Sequence, residues 1–131
     1  MSKINDFLTE AEVFFLATVD GDQPKLRPLG LHFEEDGKIL FGVGDFKDVY
    51  KQLTANPKCE IAAAKSDGHW LRYTGEAVFE DDPKYAEKAL KLMPALKNIY
   101  NDKTGNKMMI FRLENAKAVK ILVMGEGESL L

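Results

Sequence analysis

Residues 39–57 read Ile-Leu-Phe-Gly-Val-Gly-Asp-Phe-Lys-Asp-Val-Tyr-Lys-Gln-Leu-Thr-Ala-Asn-Pro. An apolar run, Ile39 to Val43, breaks at glycines and gives way to helical spacing. Phe46, Val49, Tyr50 and Leu53 fall at i, i+3, i+4 and i+7, one apolar stripe of a helix. Asp45 is the expected N-cap, with Asp48 three residues on as a weak capping box. Asn56-Pro57 ends the helix, because the residue before proline is pushed out of the α region. Lys47 stands in the first turn, where the helix dipole disfavours a cation by about 0.3–1 kcal/mol. A docked anion reverses that sign, and Lys51 follows one turn later. On these residues alone two readings stand: solvated lysines on an amphipathic helix, or two cations facing a phosphate.

The totals narrow the classes. At 131 residues a single domain, 1–131, is expected, with enough chain for its own core. A net charge of −3 supplies no basic footprint, so nucleic acid is not the expected partner. One cysteine, Cys59, excludes an internal disulfide or a multi-cysteine metal site, in keeping with a reducing compartment. No apolar run nears the ~18 residues of a membrane span, and the first residues lack signal-peptide character. The expected location is the cytoplasm, with no membrane partner.

Working outward, Ile4, Phe7, Leu8 and Ala11 mark an amphipathic helix capped by Ser2. Val13 to Val19 reads as a buried strand, turned by Asp20-Gly21-Asp22 into an alternating segment from Lys25 to Glu34. Arg27 lies on the apolar face of that segment, which is costly unless it meets an anion or a carboxylate. Pro28 places that end at an edge or bulge. Cys59 to Ala64 is a strand of small residues. His69 to Phe79 alternates, with Gly75 as the expected bulge. Asp82-Pro83 starts a helix that buries Tyr85, Ala86, Ala89, Leu90 and Met93, and Pro94 starts a shorter turn. Two strands, Met108 to Leu113 and Ala118 to Met124, are expected before a loosely held tail, 125–131. Six or seven strands and about three short helices, mostly hairpin-connected, give a mainly β (α+β) fold class: an antiparallel barrel with helical excursions.

Catalytic constellations are thin. His32 and His69 lack neighbouring metal ligands, no Ser-His-Asp arrangement is legible, and Cys59 reads as a buried, inert thiol. Gly42 and Gly44 make a G-x-G without the third glycine or the βαβ setting of a dinucleotide site. What remains is a set of cations, Arg27, Lys47 and Lys51, with aromatic Tyr50 and Trp70 and glycine-relieved backbone. That set suits a flat, phosphorylated ligand.

Three blocks, Lys-Leu-Arg-Pro-Leu-Gly (25–30), the run from 39 to 61, and Trp-Leu-Arg-Tyr-Thr-Gly-Glu-Ala-Val-Phe (70–79), carry a resemblance. In this order they resemble the FMN-binding split-barrel family, most closely the short pyridoxamine 5′-phosphate oxidase-like proteins. The resemblance implies a six-stranded antiparallel Greek-key split β-barrel with short flanking helices, forming a homodimer with two FMN molecules at the subunit interface. It assigns Arg27, Pro28 and Leu29 to the strand touching the isoalloxazine and phosphate, and Gly42, Val43 and Gly44 to the backbone approaching the ring. Lys47, Tyr50, Lys51 and Gln52 fall in the run of the phosphate-binding helix, and Trp70 in the place of a flavin-contacting polar residue.

The family's Ser-Arg-Lys phosphate run is replaced by Asp45-Phe46-Lys47-Asp48, and its C-terminal substrate-binding extension has no counterpart. Oxidation of pyridoxamine 5′-phosphate itself is therefore not expected. The resemblance implies an FMN-dependent oxidoreductase passing electrons from a small reduced donor to a small acceptor, with no side-chain acid or base assigned. Arg72 either favours a reduced anionic flavin or makes a surface salt bridge. The alternatives are a non-catalytic carrier for flavin, haem or deazaflavin, and a scaffold with a degenerate site.

Overall fold

A computed structural model of the chain describes residues 2–122 and 127–131. Helix α1 (Lys3–Ala11) starts where expected, the Ser2 hydroxyl accepting hydrogen bonds from the amides of Ile4 and Asn5. Strand β1 (Phe14–Asp20) turns at Gly21 (φ 64°) into β2 (Gln23–Leu29). Strands β3 (His32–Glu35) and β4 (Lys38–Gly44) form a second hairpin about Asp36 and Gly37. Helix α2 (Asp48–Ala55), β5 (Lys58–Ala64), β6 (His69–Glu80) and α3 (Pro83–Leu92) follow, then a 3-10 turn (Pro94–Asn98), β7 (Met108–Leu122) and β8 (Gly127–Ser129).

All pairings are antiparallel, in the order β2-β1-β5-β6-β7-β4-β3, with β8 added to β7. This is the expected mainly-β split-barrel class, with eight strand segments rather than six. The count rises partly because the Lys25–Glu34 segment is not one strand. It divides at Gly30-Leu31, and its halves lie at opposite ends of the sheet path, each drawn off by its own hairpin.

Further differences have local causes. The two expected C-terminal strands are one continuous β7; Asn115 takes a left-handed conformation (φ 52°) where the ladder with β6 shifts register between Thr74 and Glu76. Gly75 sits at that bulge because a Cβ there would meet the Glu114 carbonyl oxygen at 2.9 Å. Val123 and Met124, expected in the last strand, lie outside the described residues, as do Gly125 and Glu126 of the tail. The rest of the tail is tied down: β8 pairs with β7, and the Leu130 amide donates to Ala118 at 2.8 Å. Strand β1 is buried on one face only, with Phe14, Leu16 and Thr18 inward and Phe15 43 % exposed. Met93, expected in the core, is exposed.

The main core fills the barrel with Phe14, Leu16, Phe41, Ile61, Leu71 and Phe111, where the aromatic rings of Phe14, Phe41 and Phe111 pack in series at 5.5 Å. A second cluster, including Leu31, Leu40, Tyr85, Ala89 and Ile110, seats α3 against the β3–β4 side. The whole excursion from α3 through the 3-10 turn leaves β6 at Glu80 and rejoins at Ile110, which are direct register partners. None of the helices among the described residues is long and apolar enough to cross a membrane.

Candidate functional site

Arg27 pairs directly with Leu16 across the β1–β2 ladder, so its side chain shares the inner face with Leu16 and Thr18. The anion or carboxylate expected beside it is replaced by neutral oxygens. Its Nη1 donates to the Leu16 carbonyl (3.1 Å) and to Thr18 Oγ1 (2.8 Å), and its Nη2 donates to Gln52 Oε1 (2.7 Å). The Thr18 hydroxyl in turn donates to Gln52 Oε1 at 2.6 Å. Burial pushes the Arg27 pKa down, partly countered by the charge of Asp48. A guanidinium stays protonated regardless, and three of its five N–H donors are used here.

The turn into α2 differs from the sequence expectation. Lys47, not Asp45, is the N-cap; its backbone is extended and no side chain caps the helix. Asp45 is drawn away to β7's approach, where its carboxylate accepts from the Lys107 amide at 3.0 Å and its own amide donates back to Lys107 at 3.0 Å. Asp48 becomes the first helical residue, and Phe46 leaves the helical stripe to pack against Tyr100. The uncapped helix start keeps its positive end available to an anion.

These elements enclose a cavity of about 690 Å³, bounded by β2, the β4 glycines, the start of α2 and the excursion residues Met93, Leu96 and Tyr100. Such a volume lies in the range of small-molecule sites. Eight of the residues singled out in the sequence line it: Arg27, Pro28, Leu29, Gly42, Val43, Gly44, Lys47 and Gln52. Its charged lining is Lys25, Arg27 and Lys47 against Asp20 and Asp48.

Three others lie elsewhere. Tyr50 is half-buried with its ring edge-on to Phe79 at 5.0 Å. Lys51 lines a neighbouring depression with Val19 and Asn56. Trp70 lies on the outer sheet face between Ala64 and Ile121, with the Arg72 guanidinium 5.1 Å from its ring. Arg72 also meets Glu60 at 3.5 Å, the surface salt bridge allowed for in the sequence.

The β4 glycines have protein neighbours: a Cβ on Gly42 would meet Leu31 and Met108 side-chain ends at 2.7 Å, and one on Gly44 the Tyr100 hydroxyl at 2.5 Å. Thr18 and the wall residues Met93, Leu96, Tyr100 and Met108 were not singled out in the sequence. Thr18 carried a signal, as the only polar side chain between Val13 and Val19.

The remaining candidates, Cys59, His32 and His69, do not line this cavity. Burial pushes the Cys59 thiol up to about 12, which makes it inert at neutral pH. His32 Nδ1 lies 2.7 Å from Asn5 Oδ1, and burial holds its pKa below the ordinary value. No cluster of three or more His, Cys, Asp or Glu side chains able to hold a metal occurs among the described residues.

Cations and an uncapped helix start thus meet apolar walls in one cavity, an arrangement able to take an anionic group joined to an apolar one. The model of the family described as pyridoxamine 5′-phosphate oxidase matches residues 1–123. The chain belongs to that family. Among solved structures, it is 36 % identical to a NimC/NimA family protein from Clostridium acetobutylicum, with 98 % of this chain and 89 % of that one covered and a TM-score of 0.88. More distant members of this fold include a haem-binding protein from Mycobacterium smegmatis (20 % identity, 94 % and 54 % covered, TM-score 0.70). Another is an FAD-binding protein from Mesorhizobium loti (14 % identity, 92 % and 96 % covered, TM-score 0.62). No significant match to a curated protein is found.

Proposed function

We propose that the chain is a homodimeric, FMN-dependent oxidoreductase that takes electrons from a small reduced donor and passes them to a small acceptor. The observation that carries this reading is the convergence of Arg27, Lys47 and the uncapped start of α2 on one cavity that also presents apolar walls at Pro28, Leu29, Val43 and Leu96. Arg27 and the first amides of α2 would hold the phosphate, with Lys47 adding charge and Asp48 offsetting part of it. Pro28, Leu29 and Val43 would bound the ring. FMN, when bound, supplies the redox chemistry; the protein supplies binding, orientation and exclusion of water.

A dimer suits the outer sheet face, where Phe15, Ala62, Ala64 and Trp70 present aromatic and small apolar side chains. Assigning that face to the contact between copies gives Trp70 a place at the interface. The FAD-binding relative supports a flavin on this fold.

The test is a visible spectrum of the purified protein with and without added FMN, then addition of NADH or NADPH with candidate acceptors. Flavin absorbance that bleaches with nicotinamide and returns with acceptor is the expected result. A protein that takes up no FMN overturns the proposal, and a bound flavin that no nicotinamide reduces moves it to a carrier.

One observation favours a second reading, a haem carrier. When Nδ1–H of His32 donates to Asn5, Nε2 carries the lone pair; it lies 3.4 Å from the Thr9 hydroxyl, whose hydrogen goes to the Asn5 carbonyl at 3.0 Å, and it stands beside a groove lined by Leu31, Leu92 and Met93. A Soret band lost in His32→Ala but kept in His69→Ala would establish it.

A further inference from the structure

We propose that Thr18 and Gln52 are positioning residues for anion recognition, holding the Arg27 guanidinium from the core side so that its two unspent donors serve a ligand in the cavity. This rests on the flavin reading above. Tyrosines and Cys59 aside, Thr18 (2 % exposed) and Gln52 (9 %) are the only buried polar side chains among the described residues, and both bind the same guanidinium. A buried hydroxyl and a buried amide are each unfavourable unless hydrogen-bonded, so two of them converging on one cation define a built arrangement.

The bonds close a ring: Arg27 Nη1 to Thr18 Oγ1, Thr18 Oγ1 to Gln52 Oε1, and Arg27 Nη2 to the same Oε1. With the Leu16 carbonyl taking the second Nη1 hydrogen, Nη1 is saturated and the guanidinium plane is fixed. Nε–H and one Nη2 hydrogen remain. The partners' neutrality is the decisive feature. A carboxylate would orient the guanidinium equally well but would cancel the charge that an incoming phosphate needs. Hydroxyl, amide and backbone carbonyl orient it and leave the charge intact. Gln52 reaches this place because it lies three residues after Val49, on the buried face of α2, while Thr18 is two residues from Leu16 on the inner face of β1.

The experiment compares FMN with riboflavin, which lacks the phosphate, by fluorescence titration of the full-length wild type, Thr18→Val, Thr18→Ser and Gln52→Glu. In Thr18→Val the FMN Kd should rise by about tenfold or more, the scale of one charge-assisted hydrogen bond, with riboflavin affinity unchanged within about twofold. Thr18→Ser, which keeps the hydroxyl, should retain the wild-type preference. Gln52→Glu places a carboxylate against Arg27 and should bring the two Kd values together; it carries the test if Thr18→Val does not fold. Parallel loss of both affinities, tracking a lowered Tm, would assign the ring to fold stability and overturn the inference. A wild type that binds both flavins equally overturns it while leaving the flavin reading in place, and a wild type that binds neither overturns both.

Discussion

Gly75 and Gly42 ask which atoms surround a glycine, not merely how near they lie. A Cβ on Gly75 would stand 2.9 Å from the Glu114 carbonyl oxygen, 3.0 Å from Leu113 Cβ and 3.3 Å from Ala116 Cβ, all fixed by the β7 backbone. On Gly42 it would come closer, 2.7 Å from Leu31 Cδ2 and from Met108 Sδ, but both are ends of side chains that can change rotamer. Neither glycine has positive φ, so an alanine meets no backbone strain at either. Overpacking costs about 1–3 kcal/mol, and removing a glycine returns about 0.4–1 kcal/mol through the unfolded chain.

Gly75→Ala, against immovable atoms, should lose about 2 kcal/mol net, and Gly42→Ala should stay within about 1 kcal/mol of wild type. Urea unfolding followed by circular dichroism, at one protomer concentration, reads the difference. With a slope near 2 kcal/mol/M, Gly75→Ala should lower the midpoint by about 1 M. The displaced Leu31 and Met108 ends have the cavity to move into, so Gly42→Ala should weaken FMN binding instead. A Gly42→Ala protein that loses as much stability as Gly75→Ala would refute the reasoning.

The two lysines, grouped together by sequence, should separate: Lys47→Ala raises the FMN Kd by several-fold or more, while Lys51→Ala, which lines a different depression, changes it little. Both should melt within about 0.5 kcal/mol of wild type, as surface substitutions do, so equal binding losses would contradict the geometry. His32 has a folded pKa below 6.5, so between those values the unfolded chain binds the extra proton; its contribution is present above pH 6.5 and is lost as pH falls toward the folded value. Thermal melts from pH 7.5 to 5.5 should show a steeper fall for wild type than for His32→Gln, and parallel curves would rule this out. Cys59, with its thiol at about 12, should resist a thiol reagent at pH 8 until urea unfolds the chain; prompt labelling of the native protein would contradict its burial.

Much of the architecture was legible because period and punctuation agree. Ser2, Asp82-Pro83 and Asn56-Pro57 bound their helices as written, and Gly75 marks its bulge. The start of α2 differs from its sequence signal for a physical reason: Asp45 is a good cap by composition, but its carboxylate accepts from the Lys107 amide, distant in sequence. Fusion of the last two strands escaped notice because Asn115 reads as a turn residue, and only the partner strand shows that it is a kink within a ladder. Two of the cavity's three cations, Arg27 and Lys47, are legible from residue type; Lys25 is not, and Lys51 lines a separate depression. The cavity's far wall is not legible either, since Tyr100 and Leu96 reach it through the path of the chain after Pro94, which periodicity does not record.

That path has an evolutionary consequence. Because Glu80 and Ile110 occupy one rung of the β6–β7 ladder, the intervening segment departs and returns at a single point. Residues can be added, removed or exchanged between them without shifting the register of either strand, as loop closure depends only weakly on length. Arg27, Thr18 and Gln52 stand on β2, β1 and α2, outside this segment, whereas Met93, Leu96 and Tyr100 belong to it. The Arg27 end of the cavity and its opposite wall can therefore diverge at different rates, and grafting another family member's segment onto this barrel should reshape the Met93–Tyr100 wall while leaving the Arg27 end untouched.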